Sequence, residues 1–149
     1  MGPGRLAAVM LAATAVAVTG CGGSEKPLTH AELVSKANAI CKTVVGKFAT
    51  KSAHSVQDIA RIAPELAGVE QKALSELGKL VPPAYLESDW KQFIDGAEAL
   101  AENTSKLGEY AKANNLKAAG HLIVSTEATQ HQMQAIAKHN GLTECEQVA

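Results

Sequence analysis

Thr29-His30-Ala31-Glu32-Leu33-Val34-Ser35-Lys36-Ala37-Asn38-Ala39-Ile40-Cys41 carries both the start of a helix and the period that organises the rest of the chain. Thr29 and Glu32 have the spacing of a capping box, in which hydroxyl and carboxylate satisfy backbone donors left over at a helix start. Leu33, Val34, Ala37, Ile40 and Cys41 then recur every three or four residues, and Val44, Val45 and Phe48 continue the stripe. Such a stripe must be buried against something. Three more stretches of the same period supply it.

Ser55-Val56-Gln57-Asp58 is a second capping signal, opening Ile59, Ile62, Leu66, Val69, Ala73, Leu74 and Leu77. Pro64 lies inside this stretch, where a missing N–H predicts a kink or a split into a short and a long piece. Pro82 and Pro83 close the segment and open the next. There Leu86, Trp90, Phe93, Ile94, Ala97, Leu100, Ala101, Thr104 and Leu107 form one face, up to a turn at Asn114-Asn115. A fourth helix is predicted from Leu116 to His139, stopped at Asn140-Gly141, where glycine can take a left-handed conformation. The connections near Ala53, Val81 and Asn114 are short. Short links make successive helices antiparallel neighbours, so the expected fold is all-α, an up-down-up-down four-helix bundle over residues 29–149. In that topology the chain after helix four returns to the start of helix one.

Composition narrows the function classes. The net charge is −1, and the chain holds one Trp, two Tyr and two Phe. Lys and Glu are interspersed, and Arg61 is the one arginine after Arg5. Nucleic-acid binding needs a clustered basic face or stacking aromatics, and neither is present. Glu32 with Lys36, Glu87 with Lys91, and Glu102 with Lys106 place Glu four residues before Lys, the orientation of a solvated helix surface.

No catalytic or metal motif is visible. The five histidines form neither H-x-x-x-H nor the E-x-x-H repeat of di-iron bundles, and His30, His54 and His139 fall near predicted helix ends. Glu127 and His131, four apart, are the best titrating pair, yet no nucleophile or second acid accompanies them. Gly46, Gly68, Gly78, Gly96 and Gly108 lie singly in helical stretches, as close packing or local looseness would require. No cofactor, metal or catalytic residue is expected. One irregularity stands out in helix four, where the stripe from Leu122 and Ile123 passes through Thr126, Thr129 and Gln130 before reaching Met133 and Ile136. Either the methyl groups pack while the hydroxyls bond the preceding turn, or this layer from Thr126 to Met133 borders a pocket between helices.

Ahead of the bundle, Arg5 is followed by a run without charge from Leu6 to Val18, too short to span a bilayer, that ends at Val18-Thr19-Gly20-Cys21. This segment resembles an export signal closed by the lipobox of bacterial lipoproteins. The resemblance implies cleavage after residue 20 and a diacylglyceryl group on the Cys21 thiol, with acyl chains such as palmitate holding the protein to a bacterial membrane outside the cytoplasm. Two acyl chains give stable anchoring, whereas one holds only reversibly. Residues 21–28 then read as a flexible tether; at roughly 3.4 Å per residue its first seven residues span no more than about 24 Å.

With Cys21 acylated, Cys41 and Cys145 remain, and an exported context makes their disulfide the default; without C-x-x-C or a His cluster they make a poor zinc site. Ala37-Asn38-Ala39-Ile40-Cys41-Lys42, Leu80-Val81-Pro82-Pro83-Ala84 and Asn140-Gly141-Leu142-Thr143-Glu144-Cys145 are similar to segments of small helical lipoproteins of uncharacterised function, of actinobacterial type. That resemblance also implies the Cys41–Cys145 pairing, and no catalytic residue. The functional expectation is a non-enzymatic, membrane-anchored envelope module that contacts another envelope protein or the cell wall. The alternative is a carrier of a small apolar or amphiphilic ligand held between helices. An exposed apolar patch would favour the first, and a cavity beside Thr126 to Met133 the second.

Overall fold

The computed structural model describes residues 26–148. Cys21, the cleavage site and the first residues of the tether lie outside the described residues. Four helices make up the domain: α1 His30–Ala49, α2 Val56–Leu77, α3 Glu87–Lys112 and α4 Leu116–His139. One-turn 3-10 helices at Ala84–Leu86 and Cys145–Gln147 precede α3 and close the chain. The all-α four-helix bundle expected from the periodicity is the observed fold.

The local signals act as anticipated. The capping box at Thr29 is complete: its hydroxyl accepts from the Glu32 amide and the Glu32 carboxylate accepts from the Thr29 amide. The Thr29 amide and then the Thr29 hydroxyl, which also donates to the carboxylate, hold the Glu32 carboxyl below the usual carboxylate range. Ser55 caps α2 through the Asp58 amide, and Asn115 caps α4 through Ala118. Asn114 adopts a positive φ of 52°, a conformation asparagine tolerates better than most residues, and Gly141 takes φ 74° after α4.

Antiparallel order is legible in the cross-helix pairs. From α2 to α3, Pro64 faces Gly108 and Glu70 faces Thr104. From α3 to α4, Asp89 meets Asn140, Gly96 meets Met133, and Asn103 meets Thr126. Number rises in one partner as it falls in the other. At the opposite edge, α1 packs against α2 and against the tail after α4.

The core runs through Leu33, Ala37, Cys41, Leu77, Trp90, Phe93, Leu100, Met133 and Ala137, with Leu142 and Cys145 brought in by the tail. Trp90 and Phe93 stack with centroids 5.7 Å apart. Cys41 and Cys145 form a disulfide across a Cα separation of 4.9 Å. Asn140 is the buried polar residue among those described: its side-chain amide donates to Asp89 and to the Ile136 carbonyl, and its backbone carbonyl accepts from His30. One residue, through its side chain and its backbone carbonyl, therefore links the ends of α1, α3 and α4.

Several expectations need correction. Pro64 does not split its segment, and α2 is assigned as one helix from Val56 to Leu77. Gly108 explains how the ring is accommodated on α3, since a Cβ there would stand 3.2 Å from Pro64 Cδ and 3.2 Å from Ala63 Cβ. Gly78 is the C-cap of α2 rather than an interior residue. Lys91 pairs with Asp95 at 2.6 Å instead of with Glu87, and Glu32 is engaged by the cap, whereas Glu102–Lys106 forms at 2.6 Å as expected. Leu28, assigned to the tether, is docked: its amide donates to the Val81 carbonyl and its side chain packs on the core. Finally, Ile123 is 53% exposed although the stripe placed it inward, because the first half of α4 lies at the surface.

Candidate functional site

The bundle is not closed all round. Cα atoms of α1 and α4 nowhere come within 8 Å of each other, so between them the helices leave a gap that the C-terminal tail fills in part. A cavity of about 190 Å³ occupies this region. Phe48 of α1, Leu100 and Leu107 of α3, Leu122 of α4 and Val148 of the tail give it apolar walls. A smaller hollow of about 40 Å³ shares Glu70, Leu100 and Val148 with it and reaches Met133.

Thr126 and Gln130 both line the larger cavity, and Met133 the smaller. Thr129 lines neither. It is turned towards α3, where its methyl carbon would lie 3.7 Å from a Cβ on Gly96. Gly96 also gives the Met133 side chain its space on α3, since that Cβ would stand only 2.6 Å from Met133 Cγ. Thr126 satisfies its hydroxyl twice, donating to the Leu122 carbonyl at 2.7 Å and accepting from Asn103 Nδ2 at 3.0 Å. The hydroxyl thus bonds the preceding turn and also fixes a second polar side chain on the cavity wall. Glu127 and His131 are exposed on α4 and do not line this cavity.

The residue that the stripe pattern passed over is Glu70. It follows Leu66 by four and precedes Ala73 by three, so it sits at an inward position of α2 itself. That interruption of the stripe was the available signal. Thr104 donates to Glu70 Oε1 at 3.2 Å, while Oε2 is buried without a hydrogen-bond partner. Burial pushes the carboxyl up to about 7, outweighing the opposite effect of the Thr104 hydroxyl. A carboxyl in this setting accepts a proton or a donor readily. No basic side chain lines either hollow, and no second titratable group does so among the described residues.

Beside this region, a strip of apolar side chains is exposed on α4, and one of them, Ile123, also lines the larger cavity. Leu116, Ile123 and Val124 are 57%, 53% and 66% exposed and lie within one helix face. No group of three or more His, Cys, Asp or Glu converges as a metal site among the described residues. No helix among them is long and apolar enough to cross a membrane. In comparisons with known proteins the chain matches no family model, no curated protein and no solved structure.

Proposed function

We propose that this chain is a lipid-anchored envelope protein of the bacterial lipoprotein type that holds a small amphiphilic molecule between its helices and performs no chemistry on it. The observation that carries the ligand reading is the cavity beside Thr126 and Gln130, with half-buried Glu70, one carboxyl oxygen of which has no partner, in its wall. Apolar walls with one polar group that fixes orientation are the usual make-up of a small-molecule site. The volume, about 190 Å³, suits a compact ligand rather than a whole lipid. A non-enzymatic role is supported by the lining itself: among the described residues no histidine, cysteine or second acid joins Glu70 there, and the one hydroxyl that touches it, on Thr104, is spent in donating to the carboxylate.

The anchoring part of the proposal is supported by the lipobox-like Val18-Thr19-Gly20-Cys21 and by a disulfide, a bond characteristic of oxidising compartments. In that setting the anchored Cys21 keeps the bundle near the lipid surface through a short tether. Mass spectrometry of protein isolated from its native membrane, under denaturing and native conditions, tests both parts. A diacylated N-terminal Cys21 and a co-purifying small molecule are expected. A mature N-terminus elsewhere, or partitioning into detergent that Cys21→Ala leaves unchanged, would overturn the anchor. A species free of ligand under native conditions would count against the carrier.

A second reading is favoured by the Leu116–Ile123–Val124 strip: an interaction module that contacts an envelope protein or a cell-wall component through α4. Cross-linking in native cells separates the two. A single protein captured through α4, and lost with Leu116→Asp and Val124→Asp, neither of which lines the cavity, would make the module the primary role.

A further inference from the structure

Resting on the ligand-holding reading, we infer that the cavity takes a small primary ammonium ion with an apolar body near the size of a benzene ring, its nitrogen donating to Glu70 Oε2. Volume sets the body. An apolar protein cavity of about 150 Å³ accommodates benzene, and the 190 Å³ here leaves room for a short polar extension. Phe48, Leu100, Leu107, Leu122 and Val148 would surround the ring.

Chemistry sets the head. Glu70 lines both hollows and offers an acceptor, Oε2, that nothing in the fold satisfies; Oε2 is closed to solvent, so the nitrogen reaches it when the carboxyl turns towards the cavity, while Oε1 is already held by Thr104. A carboxylate or phosphate headgroup would meet this carboxyl with no basic residue in the walls to offset the repulsion. A neutral alcohol would leave the buried carboxyl protonated and share with it a neutral hydrogen bond, the weaker kind. An ammonium supplies both donor and charge, giving a charge-assisted hydrogen bond. Binding would also favour the ionised carboxylate, so the complex should release a proton near neutral pH. Glu70 is the one group positioned to release it: among the described residues no other side chain that lines the cavity from α1, α3, α4 or the tail is titratable, Glu102, Lys106 and Glu127 not being among the lining.

Isothermal titration of the full chain in phosphatidylcholine nanodiscs, against empty nanodiscs, tests this with benzylamine, benzyl alcohol and phenylacetate. Benzylamine is expected to bind about tenfold or more tightly than benzyl alcohol, the worth of one charge-assisted hydrogen bond, and phenylacetate not at all. Repeating the benzylamine titration at pH 7 in two buffers of different ionisation enthalpy should reveal proton release. Glu70→Gln should retain benzyl alcohol binding while losing both the preference for the amine and the proton release. Equal affinity for amine and alcohol, or tighter binding of phenylacetate, would overturn the ammonium assignment and leave the ligand-holding reading standing. Failure of all three compounds to bind the folded wild-type chain would overturn both. Should Glu70→Gln fail to fold, the order of the three affinities and the proton release in the wild type still decide.

Discussion

Glu70 holds a carboxyl group where its charged form is poorly solvated, and the consequence for stability has a definite sign. Its folded value, about 7, lies above the ordinary 4.5, so the native state binds this proton more tightly than the unfolded chain does. The stability contributed by the protonated carboxyl is complete below about pH 4.5 and is lost as the pH rises through about 7. The full shift corresponds to roughly 3 kcal/mol. Glu70→Gln keeps the shape and the Thr104 contact without the charge. Its melting temperature should exceed that of the wild type at pH 8 and approach it at pH 4; a variant less stable at pH 8 would contradict the burial cost. Glycines give a second contrast between residues. Gly96→Ala would drive a methyl to 2.6 Å from buried Met133 and should cost about 1–3 kcal/mol in urea denaturation. Gly46, in α1 with nothing within 4 Å of a Cβ, should gain about 0.5–1 kcal/mol on the same change.

At the scale of elements, α4 behaves as two halves. From Met133 onward it is seated by Ala137 and Asn140, whereas Leu116 to Val124 lies largely at the surface, held to α3 through Asn103 and Thr126. Thr126→Val removes the acceptor of a half-buried Asn103 amide and should cost about 1 kcal/mol by thermal denaturation. Thr129→Val, whose methyl already packs beside Gly96, should be close to neutral. Equal effects at the two positions would show that the layer acts by packing alone. The helices themselves were legible because their signals are local: Thr29 with Glu32 and Ser55 with Asp58 specify starts within four residues, and Gly141 a stop. Thr126 and Gln130 were legible as polar interruptions of a stripe. Glu70 was equally an interruption, yet Val69 beside it supplies an apolar residue at a compatible angle and hides it. The gap between α1 and α4 had no local signature, since interhelical spacing depends on which side chains meet. The passage of Pro64 was hidden for the same reason, because Gly108 lies on another helix.

For the whole molecule the disulfide joins α1 to the tail across 104 positions. Closing a loop that long corresponds to about 4–5 kcal/mol if the stabilisation is chain entropy alone. Cys41→Ser with Cys145→Ser should therefore lower the denaturation midpoint strongly while circular dichroism retains most of the helix signal at low temperature. Unchanged stability would mean that the hydrogen bonds of Asn38 to Gly141 and Glu144 already hold the tail. The same bond seats Val148 in the wall shared by the two hollows. On the ligand-holding reading, reduction should weaken retention of the small molecule before the helices melt, which paired measurements of binding and circular dichroism would reveal.

The placement of that bond has one more consequence, for damage rather than for stability. Cys41 stands near the beginning of the domain and Cys145 near its end, so the exposed connection around Lys51 to His54, the turn at Asn114 and Asn115, and every other link between α2 and the tail fall inside the covalent ring. A protease that severs one of them opens the polypeptide without dividing it into two molecules. The severed pieces would travel as one species until a reductant parted them, and whatever is attached ahead of α1 would keep its hold on both.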